Sequence, residues 1–155
     1  MLDRRNFLVL GTASLIVAPA TAASGRKPRI LFICQFGTVK SPIAREILKQ
    51  RAAERGIAVG VTARGITPQQ HITPELRRRL AHDGINPAAE PVRQLRRTDV
   101  AAADLVIAFD KLPPNLHPRH FKDWSDLPSM VNDYAHARAV LEGRIDQLLA
   151  SLARH

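Results

Sequence analysis

Cys34 is the only cysteine of the chain. It stands between the apolar run Ile30-Leu31-Phe32-Ile33 and the segment Gln35-Phe36-Gly37-Thr38-Val39-Lys40-Ser41-Pro42. One cysteine excludes an intramolecular disulfide and a multi-cysteine zinc site. Two roles are left, inert packing or nucleophile, and the surroundings decide between them. A loop leading from a buried strand into a helix can turn successive backbone N–H groups into one concavity, where the helix dipole adds positive charge and an anion is favoured. A thiolate is also an anion, so the same place favours the nucleophilic form of Cys34. Ser41 can donate to that sulfur, and Lys40 adds a full positive charge. The pattern predicts Cys34, Lys40 and Ser41 as catalytic residues. Gln35, Phe36, Gly37, Thr38, Val39 and Lys40 form the expected anion-binding loop.

The elements that must hold this loop follow from periodicity. Ile30 to Ile33 reads as a strand buried on both faces. Ser41-Pro42 has the order of a helix cap followed by proline, and Ile43, Ala44, Ile47 and Leu48 recur at helical spacing as far as a glycine stop at Gly56. Ile57, Val59 and Val61 alternate as one side of a second strand. Thr73-Pro74-Glu75 opens a further helix ending near Gly84, with Leu76, Leu80 and Ala81 inward and Arg77, Arg78 and Arg79 in water. Pro91-Val92 is a weak strand signal and Leu105 to Phe109 a clear one. Pro113 to Pro128, with four prolines, two histidines and the only tryptophan, reads as a long irregular loop. Tyr134 to Leu152 is a closing amphipathic helix. Strands alternating with helices predict a three-layer α/β fold with a parallel sheet, in which ligands bind beyond the carboxyl ends of strands, where Cys34 lies.

Cys34, five residues, then Lys40-Ser41-Pro42 resembles the C-x5-R-S motif of the low-molecular-weight protein tyrosine phosphatases and of the arsenate reductases that share their fold. Thr62-Ala63-Arg64-Gly65 is similar to the family's serine-alanine-glycine turn, and Ala103 to Asp110 looks like its fourth strand. The likeness covers residues 29 to 153. It implies a four-stranded parallel sheet flanked by helices and a hydrolase of phosphate monoesters that forms a phosphocysteine at Cys34 without a cofactor. The implied partner is phosphate or a similar oxyanion, on a small ester or on a phosphorylated protein.

Departures from the family pattern bear on the activity. Lys40 stands where the family has arginine and cannot make a planar two-pronged contact with phosphate oxygens. Losing one aimed donor typically costs about a hundred- to a thousandfold in rate, so weakened activity is expected. The family's glycine and asparagine within the loop are Phe36 and Gly37 here. The proton donor that such chemistry needs is an Asp-Pro in the family. Trp124-Ser125-Asp126-Leu127-Pro128 makes Asp126 the candidate, with Asp123 behind it. The paired tyrosines that follow the acid in the family are missing, and no second cysteine exists for an intramolecular arsenate-reductase relay. Two alternatives therefore stand beside the hydrolase: a catalytically impaired binder of oxyanions or phosphorylated partners, and a thiol redox or arsenate reductase-like protein using an external thiol. His71, His82, His117, His120 and His136 show no metal-ligand spacing, and no metal is expected.

Length and composition set the outer frame. A chain of 155 residues, 45% hydrophobic and 24% charged, fits one globular domain. The charge of +9 favours anionic partners. Scattered basic residues, 5% aromatics and no recognisable motif argue against nucleic acid. Residues 1 to 22 read as an export signal: Arg4-Arg5-Asn6-Phe7-Leu8 is similar to a twin-arginine signal, Phe7 to Ala18 is an apolar run, and Ala20-Thr21-Ala22 is a cleavage pattern. Residues 23–28 are then a linker, residues 29–155 the domain, and the periplasm the expected location. An uncleaved signal would anchor the protein in the inner membrane, its only expected membrane contact.

Overall fold

The computed structural model describes residues 25–154. The expected export signal, its cleavage after Ala22 and the first linker residues lie outside that range. β1 (Arg29–Cys34) is buried from Ile30 to Cys34 because it is central, with parallel partners on both edges. These are β2 (Gly60–Gly65) and β3 (Leu105–Ala108). β4 (Phe121–Asp123) pairs with the outer edge of β3. The sheet has four strands in the order β2-β1-β3-β4, all parallel.

Side-chain alternation on β1 builds two cores. Ile30, Phe32 and Cys34 face α1 (Lys40–Glu54), α2 (Pro74–His82) and α4 (Tyr134–Leu152), meeting Ile43, Ile47, Leu48, Leu80, Leu141 and Ile145. Leu31 and Ile33 face the other way, toward Val100 of α3 (Arg97–Ala102) and Val106 and Ala108 of β3. Each fully buried large apolar side chain is worth about 1.5–3 kcal/mol, so this sandwich fixes the height at which β1 ends and Cys34 emerges.

Several expectations are met at residue level. α4 has the predicted bounds, Thr73 caps α2 by accepting from the Leu76 amide, and Gly56 and Gly84 take positive φ after their helices. Others are corrected. Ser41 is not the cap of α1: Val39 holds that position without a side-chain bond, which frees the serine hydroxyl. Ala81 is exposed. The Pro91-Val92 signal gives no strand, only a bridge between Gly65 and Gln94 nearby. The stretch 113–128 is not wholly irregular, since it supplies β4, whose three residues are all exposed and so carry no apolar signature. No helix among the described residues is long and apolar enough to cross a membrane.

Candidate active site

The ladder between β1 and β2 does not stop at Cys34. The amides of Ile66, Thr67 and Gln69 donate to the carbonyls of Cys34, Gln35 and Phe36 at 3.1, 2.8 and 3.1 Å, and the Gln35 side chain donates to Thr67 Oγ1 at 2.7 Å. A planar peptide unit points its C=O and the following N–H in opposite directions. Carbonyls turned toward the extension of β2 therefore turn the amides of Gln35, Phe36 and Gly37 away from it. The Gln35 amide meets Asp110 Oδ2 at 2.8 Å. Among the described residues, no protein acceptor takes the amides of Phe36, Gly37, Thr38 or Val39. Gly37 and Thr38 are buried and Phe36 and Val39 half-buried, so these four successive amides are available, as a cradle, to an external acceptor. Gly37, at φ 68°, provides the left-handed bend that other residues rarely adopt.

The cradle opens into a cavity of about 200 Å³ lined by Cys34, Gln35, Phe36, Thr38, Val39, Lys40, His71, Asp110, Ser129, Met130 and Val131. Cys34 Sγ lies 3.1 Å from Ser41 Oγ, and the same hydroxyl lies 3.3 Å from the Arg64 carbonyl. A hydroxyl has one proton. With a thiol, Ser41 donates to Arg64 and accepts from the S–H; with a thiolate, it can turn its proton onto the sulfur. Lys40 lines the cavity at the first position of α1, and no ion pair among the described residues engages its ammonium. Thr38 Oγ1 is buried and unpartnered.

The structure thus brings Cys34, Ser41, Lys40 and the loop Gln35 to Val39 together as expected, with Gly37 the one loop residue that shapes the cavity without lining it. It does not bring Asp126 to them. Asp126 is exposed, makes a two-pronged bond with Arg144 at 2.9 and 2.7 Å, and is held below the usual carboxylate range by that guanidinium. Asp123 is held low by Ser125, whose amide it accepts at 2.8 Å. It lines a neighbouring cavity of about 700 Å³, which shares Asp110 with the Cys34 cavity. The cause is Trp124: its burial against Phe32 and Phe109 turns the flanking residues outward, and the chain reaches the Cys34 cavity only at Ser129-Met130-Val131. Asp110 is the one carboxylate lining that cavity among the described residues, and the sequence motif does not point to it. Its signal was positional, two residues beyond β3 and beside the end of β1. Phe36 walls the cavity, its ring 5.2 Å from that of His71. Among the described residues no group of His, Cys, Asp and Glu has a metal-holding arrangement.

The profile of the family described as low molecular weight phosphotyrosine protein phosphatase matches residues 29–139. No curated protein matches the chain significantly. Among solved structures, a low molecular weight protein tyrosine phosphatase from T. tengcongensis is similar at a TM-score of 0.68 and 20% identity, over 81% of this chain and 99% of that one. A thioredoxin-dependent arsenate reductase from Corynebacterium glutamicum gives 0.64 and 25%, over 84% and 64%. An arsenate reductase in the phosphate binding state gives 0.66 and 19%, over 81% and 98%.

Proposed function

The chain belongs to the low molecular weight phosphotyrosine protein phosphatase family, and from that premise we propose that it is a slow phosphatase-like hydrolase of phosphate monoesters. The ester's phosphoryl group sits in the Cys34–Ser41 loop, Cys34 Sγ attacks phosphorus, and water then hydrolyses the phosphocysteine. The observation that carries this reading is the run of amides from Phe36 to Val39 without a protein acceptor, above a sulfur that has a hydroxyl at 3.1 Å. Oxyanion binding also has the support of the similar arsenate reductase in its phosphate binding state. Lys40 neutralises charge but offers no fork, which favours low turnover. Turnover of a small aryl phosphate that vanishes in Cys34→Ser is the expected result, and none above background would count against the reading.

A second reading, an oxyanion or phospho-partner binder without useful turnover, is favoured by one observation: Asp126 lies off the cavity, locked to Arg144. Thiol redox chemistry, the third, would need an external thiol, because Cys34 has no cysteine partner. We further propose a periplasmic location, resting on Arg4-Arg5 and the apolar run behind it. Replacing both arginines by lysine should hold the chain in the cytoplasm, and unchanged export would refute a twin-arginine route.

A further inference from the structure

Resting on the hydrolase reading, we propose that His71 is the proton donor to the leaving group and the base for the attacking water, in the role an aspartate would otherwise hold. The titratable groups lining the Cys34 cavity are Cys34, Lys40, His71 and Asp110. Cys34 is the nucleophile. Asp110 accepts from the Gln35 amide through Oδ2. Lys40 contributes an ammonium suited to holding the phosphoryl oxygens. The late loop presents Ser129, not a carboxylic acid. The imidazole of His71 is the side-chain class most often used as a general acid and base.

The placement of His71 is built. The segment before it is zipped to the cradle through Gln69 N and Phe36 O, and its ring lies against Phe36, a cradle residue, at 5.2 Å and 52°. Among the described residues the histidine hydrogen bonds belong to His82 and His136, so both ring nitrogens of His71 are free to meet a substrate oxygen.

In the first step the thiolate forms an S–P bond as the P–O bond to the leaving group breaks. The departing electron pair stays on that oxygen, which takes a proton from the His71 imidazolium. In the second step water attacks phosphorus and gives a proton to the now neutral imidazole. The P–S bond breaks, phosphate leaves, and both thiolate and imidazolium are regenerated.

The test is single-turnover formation of phosphocysteine by the full chain and by His71→Asn, with phenyl phosphate and dinitrophenyl phosphate. Phenolate leaves poorly without a proton; dinitrophenolate leaves unaided. The variant should lose about a hundredfold or more on phenyl phosphate and almost nothing on dinitrophenyl phosphate, a contrast that mere structural damage would not produce. Equal losses on both esters, no loss on phenyl phosphate, or an unmodified chain that reacts only with the dinitrophenyl ester would overturn the role of His71 and leave the hydrolase reading standing. No phosphocysteine from either ester would overturn both.

Discussion

Gly37 and Gly65 meet backbone to backbone. A Cβ on Gly37 would stand 2.8 Å from the Gly65 amide nitrogen, and one on Gly65 would stand 2.9 Å from that of Gly37. The contact presses the loop from Cys34 to Ser41 against the carboxyl end of β2 and sets the direction of its amides. At Gly65 the neighbour is backbone and cannot yield. Gly65→Ala should therefore displace the loop and weaken phosphate binding by about tenfold or more while the domain stays folded, since the strand itself tolerates alanine. Titrating phosphate against intrinsic fluorescence of Trp124 or against Cys34 alkylation measures it.

The Cys34 and Ser41 pair makes a second prediction. A hydrogen bond to a charged group contributes about 1.5–3 kcal/mol. Ser41→Ala should slow phosphocysteine hydrolysis, where thiolate is the leaving group, by about ten- to a hundredfold. Phosphocysteine should then accumulate, and intact-mass measurement during turnover would detect it.

Lys40 gives a prediction of gain. Lys40→Arg restores a planar fork at the first turn of α1, and turnover of an aryl phosphate should rise about a hundredfold if one aimed donor is what the chain lacks. An unchanged kcat would favour the dedicated binder.

Asp110 and Asp126 should behave oppositely. Asp126→Asn breaks only an exposed pair with Arg144, so it should leave stability almost unchanged and turnover within a few-fold. Asp110→Asn weakens the acceptor of the Gln35 amide at the floor of the cavity, and phosphate binding should fall several-fold. Steady-state kinetics of the two variants side by side would show the contrast, and the reverse order would contradict the site described above.

Acid stability has a named source. The Tyr134 hydroxyl, at 2.6 Å, then the His82 ring and the Arg138 guanidinium hold the Asp83 carboxyl below its usual range. A carboxyl lowered in the folded state adds stability above its unfolded value, near 4, which is lost as pH falls through the folded value. Tyr134→Phe removes the first of these bonds. It should cost about 1 kcal/mol at neutral pH and flatten the fall in melting temperature below about pH 4.

The parts of this fold that were legible in the sequence are those with enough length or apolar content to show a period. β1, β3, α4 and the strand-loop-helix around Cys34 belong here. α3 is six residues long and buries only Val100, and β4 buries nothing, so neither leaves a pattern. The cradle was legible because its chemistry is local, contained in eight consecutive residues. Asp110, His71 and Ser129 were not, because they reach Cys34 through strand register, the Phe36 contact and the burial of Trp124 respectively. Asp126 lies off the cavity for the same reason: nearness in sequence to an aspartate-proline pattern says nothing about which way a buried tryptophan turns its neighbours.

The most direct measurement of the central claim is the rate of Cys34 alkylation by iodoacetamide in the full chain, followed by intact mass across increasing inorganic phosphate. With a single cysteine, the modified site is unambiguous. A cradle of unpartnered amides over the sulfur predicts protection that saturates with phosphate and weakens in Lys40→Ala. Alkylation indifferent to phosphate, or a cysteine that does not react in the folded chain, would contradict it.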